Sequence, residues 1–257
     1  MKKNIVFIVN IVNENNTKRS RPYVYSIKSW KNWCKKNDCE LFVLKDRIYD
    51  TDVMNPNWHK LFVFDLLENE DIDYDQICIV DADTIVHPDC PNFFELTEHK
   101  FCAVHNEGCY DWISRSIENY SKHLFDNHKL DIWKYINSGF MVVNKEHKEL
   151  FSNIIKFYLT NKDLIVSVQE TFSVGTDQPI INFCLDINKI SCKLLPYEFN
   201  MCDMYRKEIL DESLTFTEVG WIYHYNSIPN NGEGDVGFHF MKKTYEKLYE
   251  DNVERTL

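Results

Sequence analysis

Three apolar runs separated by two segments of helical periodicity fill the first 80 residues of the chain. The first and third runs are almost continuously apolar, which is typical of strands covered on both faces. The runs occupy residues 4–12, 40–44 and 76–80. The helical segments extend from Tyr23 to Cys34 and from Trp58 to Leu67. This strand–helix alternation predicts a parallel sheet with crossover helices.

The rest of the chain predicts further α/β elements in a less regular order. Strands are expected at residues 101–104, 139–143 and 221–225, and helices at residues 112–125, 146–159, 177–185 and 238–250. No internal repeat and no linker rich in Pro, Gly or Ser separates these elements. We therefore expect one α/β domain that spans residues 1–257.

Composition and charge exclude several classes of protein. With only 7 Gly and 7 Pro, the chain is neither collagenous nor mostly disordered. Its 29 basic and 40 acidic residues give a net charge of −11. Nucleic acid and anionic membranes need clustered cations, so neither is an expected partner. An anionic ligand would require local Lys or Arg side chains, or a bridging metal cation.

The cysteines and the N-terminal segment predict a soluble protein of the cytoplasm. The nine cysteines contain no C-x-x-C pair, which favours reduced thiols. The opening segment MKKNIVFIV is followed by Asn10 and offers no small-residue cleavage site, so we interpret it as a buried strand. No stretch approaches the roughly 20 apolar residues that span a bilayer. The oligomeric state is not predicted by the sequence.

The strongest chemical signal is ICIVDADTIV at residues 77–86. Asp81 and Asp83 follow a buried strand, and in an extended conformation this spacing places both side chains on one face. Open α/β sheets bind ligands outside the carboxyl ends of their strands. Two adjacent carboxylates are stabilised by a cation, and oxygen ligands suit Mg²⁺ or Mn²⁺. The alternative interpretation is a solvated acidic turn.

Three later segments carry further candidate residues. YINSGFMVVN (135–144) places Asn137, Ser138 and Gly139 before a strand, where they could bind sugar hydroxyls or form an ordinary turn. TDQPIINF (176–183) predicts a helix start with Thr176 as its cap, which by itself would explain Asp177. WIYHY (221–225) contains His224, which could complete a metal site or be a buried structural histidine.

Taken in order, YDQICIVDADTIV (74–86) and these three segments resemble the GT-A glycosyltransferases. The resemblance is to the glycogenin-like group, family eight of the retaining enzymes, and it covers about residues 4 to 227. It implies a Rossmann-like, three-layer GT-A fold with a mainly parallel central sheet. It also implies metal-dependent transfer of a hexose from a nucleoside diphosphate sugar, most often a UDP-sugar, to a carbohydrate or other hydroxyl acceptor, with retention.

The same resemblance assigns roles to individual residues. Residues 1–105 would form the nucleotide-sugar half and residues 106–257 the acceptor half. Mn²⁺ or Mg²⁺ would bind to Asp81, Asp83 and His224. The base or ribose of the nucleotide would contact Asn10 and Asn13, and the rest of the nucleotide site, with the diphosphate, would be formed by Lys60, Asp81, Ala82 and Asp83. The donor sugar would contact Asn137, Ser138, Gly139 and Asp177, and the catalytic pair would be Asp177 and Gln178.

Two other functions remain open from the sequence. Asp81 and Asp83 after an apolar strand also fit a haloacid-dehalogenase-type phosphatase, in which the first Asp is the nucleophile. That motif usually opens the chain, with a glycine at the position of Thr84. A catalytically silent sugar-nucleotide-binding protein would share the fold, and the aromatic content of 14% would suit sugar stacking.

Overall fold

Eight strands form one large and one small sheet in the computed structural model, which describes residues 2–12, 20–204, 212–226 and 236–250. The strands are β1 (Lys3–Val9), β2 (Glu40–Leu44), β3 (Tyr74–Val80), β4 (Thr84–Val86), β5 (Phe101–His105), β6 (Ile136–Asn144), β7 (Cys192–Leu195) and β8 (Ile222–His224). The large sheet has the order β2-β1-β3-β6-β5-β7, and β4 pairs with β8 in the small one.

Six α-helices accompany the strands in the described ranges. They are α1 (Tyr23–Lys36), α2 (Val63–Asn69), α3 (Tyr110–Leu124), α4 (Lys148–Phe172), α5 (Asp177–Ile187) and α6 (Val236–Tyr245). A 3₁₀ helix (Pro56–Phe62) leads into α2, and a π-helical turn (Glu246–Glu250) follows α6. Within the described part of the chain, no helix combines the length and the apolar character needed to cross a bilayer.

The central sheet is mostly parallel, as the sequence predicts. Strand β1 pairs in parallel with both β2 and β3, and β5 pairs in parallel with β7. Strand β6 is antiparallel to both of its neighbours, β3 and β5. The register pairs Val80, the last residue of β3, with Phe140 in the middle of β6, so that the residues of β6 before Phe140 extend past the end of β3. The reversal of β6 therefore brings its first residues beside the segment that follows β3.

Both faces of the central sheet are buried, which explains the continuous apolar runs. Alternate residues of β1, such as Phe7 and Val6, belong to two separate apolar clusters. Helices α2, α4 and α5 contribute to the first cluster. Helix α1 contributes Trp30, Trp33 and Cys34 to the second. Helices thus cover the sheet from two sides, and the fold is a single three-layer α/β domain.

One helix and two short strands differ from the sequence-based prediction. Helix α4 continues to Phe172 rather than ending near residue 159, because Ile165 and Val168 extend its buried face. It ends where Ser173 adopts a left-handed backbone conformation, with φ of 53°. Strands β4 and β7 were not predicted, since each has at most four residues and carries little periodicity.

Two buried histidines make the stability of this fold sensitive to acid. The ring nitrogens of His59 and His147 accept hydrogen bonds from the backbone N–H groups of Tyr49 and Asn144. Burial lowers the pKa of both rings below the ordinary value of 6.5. The unfolded chain therefore binds more protons below that pH, and the free energy of unfolding decreases as the pH falls.

We expect this loss to begin near pH 6.5, with each histidine contributing at most about 1.4 kcal/mol per pH unit. In the double variant His59→Gln and His147→Asn, amide oxygens replace the accepting nitrogens and do not titrate. Urea unfolding of both proteins at pH 7.5 and pH 5.5 measures the difference. Equal losses in the two proteins would contradict the assignment.

Candidate functional site

A cleft of about 610 Å³ opens where β1 and β3 end and β6 begins. This is the carboxyl edge of the parallel strands, at which open α/β sheets bind their ligands. The volume lies within the range of small-molecule sites. Residues singled out from the sequence line the cleft together: Lys60, Asp81, Ala82, Asp83, Asn137, Ser138, Gly139, Asp177, Gln178 and His224.

Of the two asparagines predicted to contact the nucleotide, the structure describes Asn10 but not Asn13. Asn10 follows β1, and its neighbours Val9 and Ile11 line the cleft. The side-chain oxygen of Asn10 is buried without a hydrogen-bond partner in the described structure. Asn13 lies outside the described residues. The predicted contacts of both residues with a nucleotide stay predictions.

Asp81 and Asp83 converge through a turn, and not through the extended conformation expected from their spacing. Strand β3 ends at Val80, and residues 81–83 form the turn that leads into β4. The hydroxyl of Thr84 donates to the backbone oxygen of Asp81 over 2.8 Å and closes this turn. The turn is required because the chain leaves the central sheet here to enter the small one.

The small sheet delivers His224 to the aspartate pair. In the β4–β8 register Thr84 pairs with His224, so β8 ends beside the turn. The Nε2 atom of His224 lies 3.2 Å from Oδ1 of Asp83 and 3.9 Å from Oδ2 of Asp81. Burial would lower the pKa of His224, but the carboxylates of Asp83 and Asp81 outweigh it and raise the pKa.

The three side chains fit a divalent metal ion. Asp81, Asp83 and His224 each offer one ligand atom, and these atoms lie within 4.8 Å of one another. The carboxylates are partly exposed, whereas the imidazole is buried. A donor set of two carboxylate oxygens and one imidazole nitrogen suits Mn²⁺ and related transition ions better than Mg²⁺.

Lys60 is a buried cation between two carboxylates. Its Nζ atom lies 2.9 Å from Oδ1 of Asp81 and 2.9 Å from Oδ2 of Asp177, and it also donates to the backbone oxygen of Ser138. The residue is 2% exposed. Burial alone would lower the pKa of Lys60, but the attraction of the two carboxylates raises it well above its ordinary value.

Asp177 is held by four donors. Its Oδ2 atom accepts from Lys60 and from the hydroxyl of Ser138, and its Oδ1 atom accepts from the side chains of Asn57 and Thr176. Burial would raise the pKa of Asp177, but the Lys60 ammonium lowers it below the ordinary value. The carboxylate is therefore an acceptor fixed in place.

Helix α5 starts at Asp177 with Pro179 in its first turn, and Thr176 occupies the N-cap position as predicted. Thr176 makes no capping hydrogen bond. Its hydroxyl instead donates to the Asp177 carboxylate and accepts from Asn57. The Thr176 oxygen therefore accepts from the Asn57 amide in place of a helix N–H group, while the ionised carboxylate, a strong acceptor, binds the hydroxyl proton.

Three polar residues that contact the predicted site residues were not identified from the sequence: Asn57, Asn106 and Asn200. Asn106 accepts from the side chains of Gln178 and Asn137. Asn57 donates to Asp177, and Asn200 contacts both Asn137 and His224. No spacing rule could have found the three residues, because they lie far apart in the chain and meet the site only in the folded structure. Asn106 and Asn200 are buried.

Gly139 leaves the space that the His224 ring occupies. A Cβ atom at residue 139 would lie 2.2 Å from Cε1 and 2.8 Å from Nδ1 of His224. Glycine is needed at residue 139 because the His224 ring lies so close to the backbone, and not because of the backbone conformation, since no glycine among the described residues has a positive φ angle.

Gly139→Ala is therefore expected to lower the free energy of unfolding by about 1–3 kcal/mol through overpacking. The matched control is Gly237→Ala, because a Cβ atom there has nothing within 4 Å. Denaturant unfolding measures both variants. An alanine at residue 139 that costs no more than the one at residue 237 would contradict the packing described here.

Comparison with solved structures bears on the fold. A glycosyltransferase involved in the glycosylation of the major capsid of PBCV-1 matches with a TM-score of 0.59 and 10% sequence identity. The match covers 93% of this chain and 98% of that chain. The chain shares the fold of that glycosyltransferase.

Two other matches have TM-scores below 0.5, and nothing is inferred from them. The apo-form glycosyltransferase GlyE of Streptococcus pneumoniae TIGR4 matches with a TM-score of 0.47 and 13% identity, over 100% of this chain and 64% of that one. Mouse xyloside xylosyltransferase 1 matches with a TM-score of 0.48 and 9% identity, over 88% of this chain and 98% of that one. No protein-family model matches the chain, and the comparison with curated proteins gives no significant match.

Proposed function

We propose that the protein is a metal-dependent glycosyltransferase that moves a hexose from a nucleoside diphosphate sugar, in the first instance a UDP-sugar, to a hydroxyl acceptor. The observation that carries this proposal is the meeting of Asp81, Asp83 and His224 in a cleft at the carboxyl edge of the sheet. The shared fold supports it. The glycogenin-like resemblance and the retaining outcome rest on the sequence motifs alone.

The proposed metal ligands are Asp81, Asp83 and His224. A bound divalent ion would supply positive charge for the diphosphate that leaves the sugar. Lys60 holds one oxygen of Asp81, so that the other oxygen faces His224. Lys60 thus orients a metal ligand, and its additional contact with the diphosphate stays a prediction.

The donor sugar is proposed to lie against Ser138 and Asp177. All four acceptor sites of the Asp177 carboxylate are occupied, two of them by the hydroxyls of Ser138 and Thr176. A sugar hydroxyl that replaces either contact can itself accept from the displaced Ser138 or Thr176 hydroxyl, so that no buried donor is left unpaired. This exchange would let Asp177 bind the sugar while Lys60 and Asn57 keep it in position.

Gln178 is proposed to lie beside the anomeric carbon as a neutral positioning group. Its two polar ends are already bound by Ser138 and Asn106, and an amide is a weak nucleophile. A front-face reaction is consistent with these features. In that reaction the bond from the anomeric carbon to the diphosphate breaks, the bond to the acceptor oxygen forms, and the acceptor proton passes to the departing phosphate.

The acceptor is proposed to bind on the side of residues 106–257, with residues 1–105 holding most of the nucleotide. Trp112 lines the cleft and packs against Gly175, at which a Cβ atom would lie 2.7 Å from the indole. Tyr110 and Trp133 are exposed near the end of β5, with ring centroids 6.1 Å apart. Exposed aromatic faces of this kind stack on sugar rings, which supports a carbohydrate acceptor.

The decisive experiment measures nucleotide release from a panel of nucleoside diphosphate sugars, with Mn²⁺, with Mg²⁺ and with EDTA. Transferases of this type hydrolyse their donor slowly without an acceptor. Metal-dependent release from one UDP-sugar would support the reaction and identify the donor. Binding of UDP with Mn²⁺ but without release from any sugar would favour the silent binding protein. Hydrolysis of an aryl phosphate with Mg²⁺, and no release from any sugar, would favour the phosphatase.

A further inference from the structure

A continuous chain of buried side-chain amides extends from Asp203 to the proposed metal ligand His224. Asn106 donates to Oδ2 of Asp203 over 3.4 Å, and Asn137 donates to Oδ1 of Asn106 over 2.8 Å. Asn200 donates to Oδ1 of Asn137 over 2.9 Å. The Nδ1 atom of His224 lies 3.1 Å from Oδ1 of Asn200. Each of the five residues is at most 6% exposed.

The direction of every amide in this chain is fixed by groups that cannot reverse. The backbone N–H of Gly139 donates to Oδ1 of Asn137 over 2.9 Å, and a backbone N–H is always a donor. The Asn200 atom that meets this same oxygen must therefore be its amino group. Consequently the other end of the Asn200 amide, which faces His224, is the oxygen. At the far end, the carboxylate of Asp203 can act only as an acceptor when ionised.

The orientation of Asn200 decides which nitrogen of His224 carries the proton. An unprotonated Nδ1 would place its lone pair against the Asn200 oxygen, so Nδ1 must be the protonated nitrogen. The Nε2 atom faces the carboxylates of Asp81 and Asp83, which accept a second ring proton when no metal ion is bound. A metal ion that replaced this second proton would leave the ring protonated on Nδ1 alone. This is the tautomer that binds a metal ion through Nε2.

We propose that Asn200 is a positioning residue that holds His224 in the metal-binding tautomer, with Asn137 and Asn106 fixing its direction. The role of Asn200 in metal binding rests on the proposed function, whereas its hydrogen bonds to Asn137 and His224 do not. Asn200 is fully buried, and within the described part of the chain its side chain contacts the site through His224 and Asn137. It is not a catalytic residue, since it does not reach the reacting atoms.

The first test reads the tautomer directly in the metal-free protein. Nitrogen-15 NMR of histidine-labelled protein distinguishes protonated from unprotonated ring nitrogens, and the His224→Asn variant identifies the signal. At pH 7 wild type is expected to show a protonated Nδ1, the nitrogen that faces Asn200. In Asn200→Leu the Nδ1 proton is expected to be lost, and the remaining ring proton lies on Nε2, where the Asp83 carboxylate accepts it. A wild-type ring with an unprotonated Nδ1 would overturn the proposal.

The second test measures Mn²⁺ affinity by calorimetry. Removal of a hydrogen-bond partner of a metal-ligating histidine costs about 10–100-fold in affinity, and we expect this loss for Asn200→Leu. Asn144→Leu is the matched control, because Asn144 is also a buried amide with two hydrogen bonds but lies at the opposite end of β6. Equal affinities in the two variants would overturn the proposal.

The two tests separate this inference from the proposed function. If wild type binds no Mn²⁺ but shows the Nδ1-protonated ring, and the Nδ1 proton is lost in Asn200→Leu, the metal site is wrong and the positioning of the imidazole is confirmed. If wild type binds Mn²⁺ and Asn200→Leu binds it equally well with an unchanged tautomer, the metal site stands and the role of Asn200 is overturned.

Discussion

Replacement of Lys60 by methionine is expected to lower the free energy of unfolding by about 3–5 kcal/mol, the usual cost of removing one partner from a buried ion pair. Methionine matches the length of the lysine stem but leaves Asp177 buried without its cation. Burial then raises the pKa of Asp177, because only the Lys60 ammonium counteracts desolvation to this extent. Urea unfolding at pH 7 measures the loss.

Two controls separate the buried charge from a general effect of losing a lysine. Lys148 also contacts two carboxylates, those of Asp65 and Glu68, but its side chain is 38% exposed. Lys148→Met should therefore cost no more than about 1 kcal/mol. The double variant Lys60→Met and Asp177→Asn should recover part of the loss, since no unpaired charge stays buried at residue 177. Equal losses in the two single lysine variants would show that the Lys60 contacts contribute no more than surface ion pairs.

Replacement of Asp83 by alanine is expected to reduce metal-dependent nucleotide release by at least about 10²-fold while the protein stays folded. Asp83 supplies one of the two carboxylates of the candidate metal site, and its oxygen is the group nearest to Nε2 of His224. The change removes a ligand and one negative charge but no core packing. Calorimetry with Mn²⁺, thermal unfolding and the nucleotide-release assay measure the three consequences.

Asp89→Ala is the control for this prediction. Asp89 follows β4, pairs with Lys36 at the surface and has a side chain that is 73% exposed. It should bind Mn²⁺ and release nucleotide as wild type does. Wild-type turnover in Asp83→Ala would refute the metal assignment, whereas loss of both turnover and folding would indicate a structural role for this carboxylate.

The sequence predicted the parts of the site that depend on local patterns. Apolar runs located β1 and β3, and the rule that ligands bind at the carboxyl edge of parallel strands placed Asp81 and Asp83 correctly. The helix start at Asp177 was predicted from Thr176 before it and from Pro179 in its first turn. The order of the four motifs along the chain led to the prediction that Asn137, Ser138 and Gly139 lie near Asp81 and Asp83, and all five residues line the same cleft.

The remaining features depend on the direction of a strand within the sheet and on the burial of polar side chains, which local sequence patterns do not encode. A strand buried on both faces, such as β6, has the same pattern in either direction, so its antiparallel orientation could not be predicted. The burial of Lys60 follows from contacts with Asp81 and Asp177, which are distant in sequence. Asn200 and Asn106 belong to a network whose members have no common spacing. The turn at residues 81–83 arises because β4 pairs with a strand near the other end of the chain.

The antiparallel position of β6, together with the late position of β8, has a consequence for the lifetime of the protein. The cleft requires β3, β6, α5 and β8 at once, and these elements are joined only by long-range contacts, which form slowly. A partly folded chain that lacks β8 therefore lacks His224, one of the three proposed metal ligands. A ligand that binds only the complete fold stabilises it by mass action. If the proposed donor binds here, the supply of nucleotide sugar would govern how long each molecule resists proteolysis as well as how fast it turns over.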